Sequence, residues 1–103
     1  MTLADVCAGF GIQTVEITAE KWLACFISTD THERSFILYG ATDSDAACAL
    51  LKARWGIHTW RQSSVGGEWF YAEHLRGAVM LIERERTELD AVAALARRLK
   101  ETG

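Results

Sequence analysis

The segment WFYAEHLRGAVMLI, residues 69–82, decides the fold of this chain, because it reads as two strands joined by a turn. In its first half, Trp69 and Tyr71 fall on one side of a strand, and the residue after each of them falls on the other. Its second half, residues 78–82, is apolar on both sides. We therefore expect these strands in the middle of a sheet, with cover on both faces.

Three helices are predicted around this hairpin from their capping residues. A threonine followed three residues later by an aspartate opens each one, which is the pattern of a capping box. Glycines at positions 11 and 56 are placed to end the first two helices in a left-handed turn. The predicted helices cover residues 3–10, 42–55 and 87–101.

Runs of alternating or continuous apolar residues predict the strands. Residues 29–33 are predicted to form a polar loop and residues 63–67 a flexible turn. The predicted strands cover residues 12–18, 22–28, 34–39, 57–62, 68–74 and 77–82.

The chain resembles itself when it is shifted by 45 residues. Residues 8–15 align with 53–60, and residues 42–51 align with 87–96. Alanine-rich capped helices can also resemble each other for local reasons, but the repeated order of elements favours a duplication. We expect corresponding strands to open with Trp22 and Trp69.

The sequence therefore predicts an α+β fold of the form α-βββα-βββα, with an internal two-fold repeat. One domain, residues 1–103, would contain pseudo-repeats at about 12–56 and 57–101. A mainly antiparallel sheet of about six strands would carry the helices 42–55 and 87–101 on one face.

That arrangement leaves the opposite sheet face short of cover. The short N-terminal helix is the one element left to shield it, while the strands carry apolar residues on both sides. A monomer tolerates an exposed apolar patch of a few hundred Å². We therefore expect a second copy, a partner or a ligand on this face, with a two-fold homodimer as the default.

Composition excludes several classes of function. A formal net charge of -3 argues against a nucleic-acid surface. No apolar run reaches the roughly 20 residues that span a bilayer, and the N-terminus lacks the basic and apolar regions of a signal peptide. Three cysteines without a Cys-x-x-Cys pair signal neither a disulfide framework nor a zinc site. We expect a cytoplasmic protein that needs no cofactor and binds neither nucleic acid nor membrane.

The aromatic residues suggest one candidate site. Indole faces attract cations, and a carboxylate could balance the charge of such a ligand. Ordinary core and interface packing is the competing interpretation. The candidate ligand-binding residues are Trp55, Trp60, Trp69, Tyr71 and Glu73.

The histidines suggest a second candidate site. His58 and His74 lie on predicted strands and could converge with Glu73 for acid–base catalysis. Histidines on edge strands more often have a satisfied ring nitrogen and no catalytic role. The cysteines lie in apolar settings where thiols are inert, and the Asp30–Glu33 loop is predicted to be solvated and not a metal site.

No sequence motif identifies a family. At the level of element order alone, α-βββα-ββ(β)α resembles the dimeric chaperones of type III secretion, which are small, acidic and bind partner segments. Our first hypothesis is a non-enzymatic dimeric interaction module that binds a protein or peptide. A small-molecule-binding domain with an aromatic pocket for an apolar or cationic ligand is the second hypothesis. A small enzyme using His58, His74 and Glu73 is the third.

Overall fold

The computed structural model describes residues 2–102 and has the expected α+β fold with a repeat-like βββα-βββα order. The predicted first helix is confirmed at both ends, and the two longer helices are confirmed to within one residue. The elements are α1 (Leu3–Phe10), β1 (Ile12–Thr18), β2 (Lys21–Phe26), α2 (Thr31–Arg34), β3 (Ile37–Gly40), α3 (Asp43–Trp55), β4 (His58–Ser64), β5 (Gly67–Arg76), β6 (Val79–Glu85) and α4 (Glu88–Thr102).

The strands form two antiparallel sheets of three strands each, and not one sheet of about six. Sheet 1 has the order β1-β2-β3 and sheet 2 the order β4-β5-β6. Alternation of side chains predicts which segments are strands and how hairpins pair, but it does not decide whether two outer edges join. β4, the first strand of sheet 2, is largely polar, which suits an edge that faces water, whereas β1 has both apolar and polar residues.

The opening hairpin is confirmed as β5 and β6, but these strands do not share one environment. β5 is the central strand of sheet 2, whereas β6 is an edge strand. β3 was predicted over residues 34–39 and instead begins at Ile37, because a one-turn helix occupies Thr31–Arg34 in the predicted loop. Asp30 starts that turn by accepting a hydrogen bond from the His32 N–H at 2.9 Å.

Each sheet packs one face against a helix of its own repeat. Sheet 1 packs on α3, sheet 2 packs on α4, and the two helices pack against each other. Ala24 and Ala72, at the middle of the two central strands, are fully buried beneath these helices. The largest fully buried side chains are Leu50, Leu51, Leu95, Val6 and Val92.

Equivalent residues form the same local structure at the boundaries of the two repeats. Gly11 and Gly56 end α1 and α3 with φ of 66° and 63°, in the left-handed region that glycine adopts without strain. Thr42 and Thr87 cap α3 and α4, since each hydroxyl accepts a backbone N–H three residues on at 3.1 Å. These pairs keep the 45-residue shift seen in the sequence.

Trp22 and Trp69 lie near the start of the corresponding central strands β2 and β5, as expected, but on opposite sides of them. Trp22 lies on the inner face of sheet 1 and packs against the core, in line with Ala24. In sheet 2 the residue that packs there, in line with Ala72, is Phe70. Trp69 is one position away and therefore lies on the opposite side of the strand.

The opposite face of each sheet is not covered by α1. The ring of Phe10 packs against Trp55 at a centroid distance of 5.6 Å, and Lys100 Nζ donates to the Gly9 carbonyl at 3.4 Å. Those contacts place α1 beside the C-terminal ends of α3 and α4. Eight large apolar residues on the outer sides of the strands are exposed: Val15, Ile17, Ile37 and Tyr39 in sheet 1, and Trp60, Leu75, Met80 and Ile82 in sheet 2.

Candidate functional site

The outer face of sheet 2 gathers most of the residues predicted to bind a ligand. Cross-strand pairing fixes which side chains share this face, because paired residues point to the same side of a sheet. His58 pairs with Glu73, Trp60 with Tyr71, and Tyr71 with Arg84. The outer face of sheet 2 includes His58, Trp60, Gln62, Trp69, Tyr71, Glu73, Leu75, Met80, Ile82 and Arg84.

Aromatic stacking rigidifies the centre of this face. The rings of Trp60 and Tyr71 lie parallel, 4° apart in angle and 5.0 Å between centroids. An offset aromatic pair of this kind contributes about 0.5–1.5 kcal/mol beyond its burial. The result is a flat aromatic platform that is open to solvent and has no enclosing walls.

Two arginine side chains of the protein already lie over the neighbouring indole, that of Trp69. The guanidinium carbons of Arg84 and Arg86 lie 4.2 and 3.6 Å from the Trp69 ring centroid. Arg86 is also held by the hairpin loop, since its Nη1 donates to the carbonyls of Gly66 and Glu68 at 3.0 and 3.2 Å. A cationic ligand would have to compete with both arginines for this ring.

The three groups of the enzyme hypothesis are divided between the two faces of sheet 2. His58 and Glu73 are cross-strand neighbours on the outer face. His74 follows Glu73 in β5 and points the other way, with its Nδ1 3.1 Å from the Gly56 carbonyl oxygen at the end of α3. The structure brings two of these residues together and places the third on the opposite side.

Trp55, the remaining residue of the predicted pocket, lies apart from the other aromatics in a cleft where the C-terminal ends of α1, α3 and α4 meet. The cleft has a volume of about 300 Å³. Its apolar floor includes Phe10 and Phe26, whose rings pack on Trp55 at centroid distances of 5.6 and 6.1 Å. The residues lining the cleft are Phe10, Phe26, Glu33, Arg54, Trp55, His74, Arg76, Leu99 and Lys100.

Charged side chains surround the apolar floor of this cleft. Arg54 lies 4.8 Å from the Trp55 ring centroid and 3.3 Å from a carboxylate oxygen of Glu33. Arg76 donates to the Thr102 hydroxyl at 3.1 Å. The Nε of Arg54 is buried and has no hydrogen-bond partner. A guanidinium carries five N–H donors, and the contacts above use only some of them.

The sequence analysis missed this cleft as a site, although one signal for it was present. Phe10, Trp55 and Lys100 are spaced by 45 residues, the period of the repeat, and each lies at or near the end of a helix. The convergence of three repeat-related helix ends follows from the fold. Alternation along a single strand could not reveal it, because Trp55 ends a helix whereas Trp60 and Tyr71 lie on strands.

Two of the three thiols lie in environments that raise their pKa. Burial, reinforced by a hydrogen bond from Cys48 Sγ to Glu88 at 3.1 Å, raises the pKa of the Cys48 thiol far above its usual range. Burial also raises the pKa of Cys7, with a smaller contribution from the nearby carboxylate of Asp43. Within residues 2–102, no cluster of three or more His, Cys, Asp or Glu side chains is arranged to hold a metal ion.

No protein-family model, curated protein or solved structure matches this chain. Among the residues the structure describes, no helix is both long and apolar enough to cross a membrane.

Proposed function

We propose that this protein is a non-enzymatic interaction module that forms a two-fold homodimer through the outer face of sheet 2 and binds an extended peptide at sheet 1. The observation that carries the proposal is the row of exposed apolar and aromatic residues on the sheet side that no helix covers. Reduced cysteines in apolar settings suit a cytoplasmic location.

The area of the outer face of sheet 2 suits one side of a stable dimer. Trp60, Leu75, Met80 and Ile82 are each between 40% and 64% exposed. At a full area of about 150–250 Å² for a large aromatic side chain, Trp60 alone presents roughly 60–100 Å², and the three aliphatic side chains add to this apolar surface. A standard interface buries about 800 Å² per partner, of which somewhat more than half is apolar. The half-buried aromatics and the polar residues around them supply the remainder.

The charges on this face are complementary under a two-fold rotation. Glu73 and Arg84 both lie on it, since Arg84 is the cross-strand partner of Tyr71 and Glu73 lies two residues further along β5. A two-fold axis near Tyr71 would let the carboxylate of each copy meet the guanidinium of the other. Trp, Tyr and Arg are also the residue types that dominate interface energetics.

The outer face of sheet 1 suits a different occupant. It is aliphatic, with Val15, Ile17 and Ile37 exposed beside Tyr39, and it has one aromatic ring where sheet 2 has three. Its edge strand β1 leaves backbone donors and acceptors unpaired on the side away from β2. An extended peptide with apolar side chains at alternate positions would add to this edge by backbone hydrogen bonds.

Sedimentation velocity across a concentration series tests the dimer. The wild-type protein is expected to sediment as a dimer at high concentration and to dissociate on dilution. Met80→Lys places a charge among the apolar residues of the proposed interface and is expected to weaken dimerisation by about thirtyfold or more. Ile17→Lys is the matched control, because Ile17 and Met80 are 50% and 52% exposed on the two different outer faces.

Two results would overturn the dimer proposal. A wild-type protein that stays monomeric to millimolar concentration would remove it, and equal weakening by both lysine variants would remove the assignment to sheet 2.

The peptide site has a separate test, in which an eight-residue peptide alternating valine and glutamine is titrated into ¹⁵N-labelled protein. We expect the β1 amide signals to shift first; shifts confined to sheet 2, or none, would contradict this site.

A further inference from the structure

We propose that the cleft at the ends of α1, α3 and α4 binds a small apolar carboxylate, such as an aryl-acetate. This site lies apart from the outer sheet faces, so the inference does not depend on the proposed dimer. The ligand class also differs from the apolar or cationic ligand expected from the sequence. The cleft carries a net positive charge, whereas a cationic ligand requires a negative one.

The cleft concentrates positive charge in a protein that is negative as a whole. Arg54, Arg76 and Lys100 line it against the single carboxylate of Glu33, which gives a local formal charge of three minus one, or +2. The formal net charge of the whole chain is -3. This excess favours an anion at the cleft over a cation or a neutral molecule.

The fold itself explains part of this charge. Lys100 donates to the Gly9 carbonyl and Arg76 to Thr102, and cations near helix C-termini are favoured by the helix dipole. Each of those contacts uses one donor, whereas a guanidinium has five and an ammonium three. Most of the hydrogen-bonding capacity of Lys100 and Arg76 therefore remains for a ligand.

Glu33 occupies the position that a ligand carboxylate would take. Its carboxylate lies 3.3 Å from Arg54 Nη2, and the two side chains are 29% and 27% exposed. A partly exposed pair of this type contributes little stability, in the range of about 0–1 kcal/mol. Glu33 sits on the one-turn helix α2, outside the core, and a second carboxylate can compete with it for Arg54.

The floor of the cleft selects an apolar acid over inorganic phosphate. The side chains of Phe10, Phe26 and Leu99 are largely buried there, and Trp55 forms the face beside Arg54. A phosphate ion would meet the cations and leave the half-buried Trp55 ring uncovered. An aryl group would cover that ring, and the volume of about 300 Å³ lies at the small end of the range for ligand pockets.

Titration of phenylacetate into ¹⁵N-labelled protein tests the proposal through the Trp55 indole N–H signal. The four tryptophan signals are assigned by replacing each tryptophan with phenylalanine in turn. We expect a saturable shift of the Trp55 signal with phenylacetate and at least about tenfold weaker binding of phenylacetamide, which lacks the charge. Inorganic phosphate is expected to give no saturable shift.

Two variants of the Arg54–Glu33 pair sharpen the test. Arg54→Gln is expected to weaken phenylacetate binding by about tenfold or more, because it removes a charged donor. Glu33→Gln is expected to strengthen binding by about two- to fivefold, because it removes the competing carboxylate. Arg98→Gln is the matched control and is expected to leave binding unchanged, since Arg98 forms an equivalent pair with Glu83 at 2.9 Å outside the cleft.

Several outcomes would overturn the proposal. Absence of a Trp55 shift with phenylacetate would remove the site, and equal binding of phenylacetamide would leave an apolar pocket without charge selection. Phosphate binding as tight as that of phenylacetate would indicate a general anion site. Should Arg54→Gln fail to fold, the Glu33→Gln variant decides the matter: weaker or unchanged binding in that variant would contradict the competition argued here.

Discussion

The two repeats of this protein are alike on their inner sides and different on their outer sides. Each presents a central strand with a buried alanine, Ala24 or Ala72, to a helix that is capped by threonine. On the outside, sheet 1 is aliphatic and sheet 2 carries stacked aromatic rings with charges of both signs. Packing keeps the inner sides similar, whereas a solvent-facing strand side is free to change.

Equivalent positions also hold different residues in the cleft, where the repeats meet. Three helix-end positions that are 45 residues apart hold Phe10, Trp55 and Lys100, and all three line the cleft. The ends of the central strands differ as well, with Phe26 in sheet 1 and His74 in sheet 2. Divergence at equivalent positions thus marks the surfaces to which we assign binding, and shared residues mark the core.

The largest effect is expected at the core leucines that the repeats share. Leu50 and Leu95 are equivalent, and both are fully buried. Leu50→Ala and Leu95→Ala should each lower the free energy of unfolding by about 2–5 kcal/mol, because each leaves a cavity between helix and sheet. Urea denaturation measures both. A loss below 1 kcal/mol in one variant alone would show that the inner sides are not equivalent.

The second effect breaks the symmetry of the inner sides. At Gly40, the last residue of β3, an added Cβ would lie 2.5 Å from the Ala46 nitrogen and 2.7 Å from Asp45. Those neighbours are helix backbone or lie next to it, so α3 itself would have to move away from sheet 1. We expect Gly40→Ala to destabilise the protein by about 1–3 kcal/mol in the same urea assay. Gly9→Ala is the control, because its Cβ would meet nothing within 4 Å.

The third effect concerns the two helix caps. Thr42 and Thr87 each accept a backbone N–H at 3.1 Å. Thr42→Ala and Thr87→Ala should each cost about 1 kcal/mol, with Thr→Ser at either position retaining most of the stability. Thermal unfolding followed by circular dichroism gives the comparison. If serine destabilised as much as alanine, the capping hydrogen bond would not be the cause.

The smallest effect at neutral pH is expected where one repeat has a cysteine and the other an alanine. Cys48 corresponds to Ala93, and both are buried. Cys48→Ala removes one hydrogen bond, to Glu88, and should cost about 1 kcal/mol or less at pH 7.

The same substitution should change the response to alkaline pH. Burial raises the pKa of Cys48 in the folded protein, so its stabilising contribution is present below the ordinary thiol pKa near 9 and is lost as pH rises above it. The unfolded chain can release that proton and is then favoured by up to about 1.4 kcal/mol per pH unit. Urea titrations between pH 7 and 10 should show a shallower decline for Cys48→Ala; an identical decline would contradict the assignment.

The sequence predicted the elements that depend on local signals. Capping threonines and terminal glycines located the helices to within a residue, since a cap hydrogen bond and a left-handed glycine are both local requirements. The short helix α2 escaped because four residues carry no periodicity. The division into two sheets escaped because it depends on strand edges that are far apart in the chain.

The candidate sites were predictable in part for the same reason. Alternation along β5 correctly separated Trp69 and Tyr71 from Phe70 and Ala72. It also implied that His74 and Glu73 cannot share a face, a consequence that the enzyme hypothesis did not use. The cleft joins residues from six elements, and no pattern within one segment could have indicated it.

Isotope-filtered NOE measurement on a mixture of two samples tests the proposed dimer most directly. One sample carries ¹³C-labelled isoleucine and methionine methyl groups, and the other is unlabelled. We expect the methyls of Met80 and Ile82 to give intermolecular NOEs to the aromatic rings of Trp60 and Tyr71 in the second copy, and the methyls of Ile17 to give none. Intermolecular NOEs from Ile17, with none from Met80 or Ile82, would contradict the assignment of the dimer contact to the outer face of sheet 2.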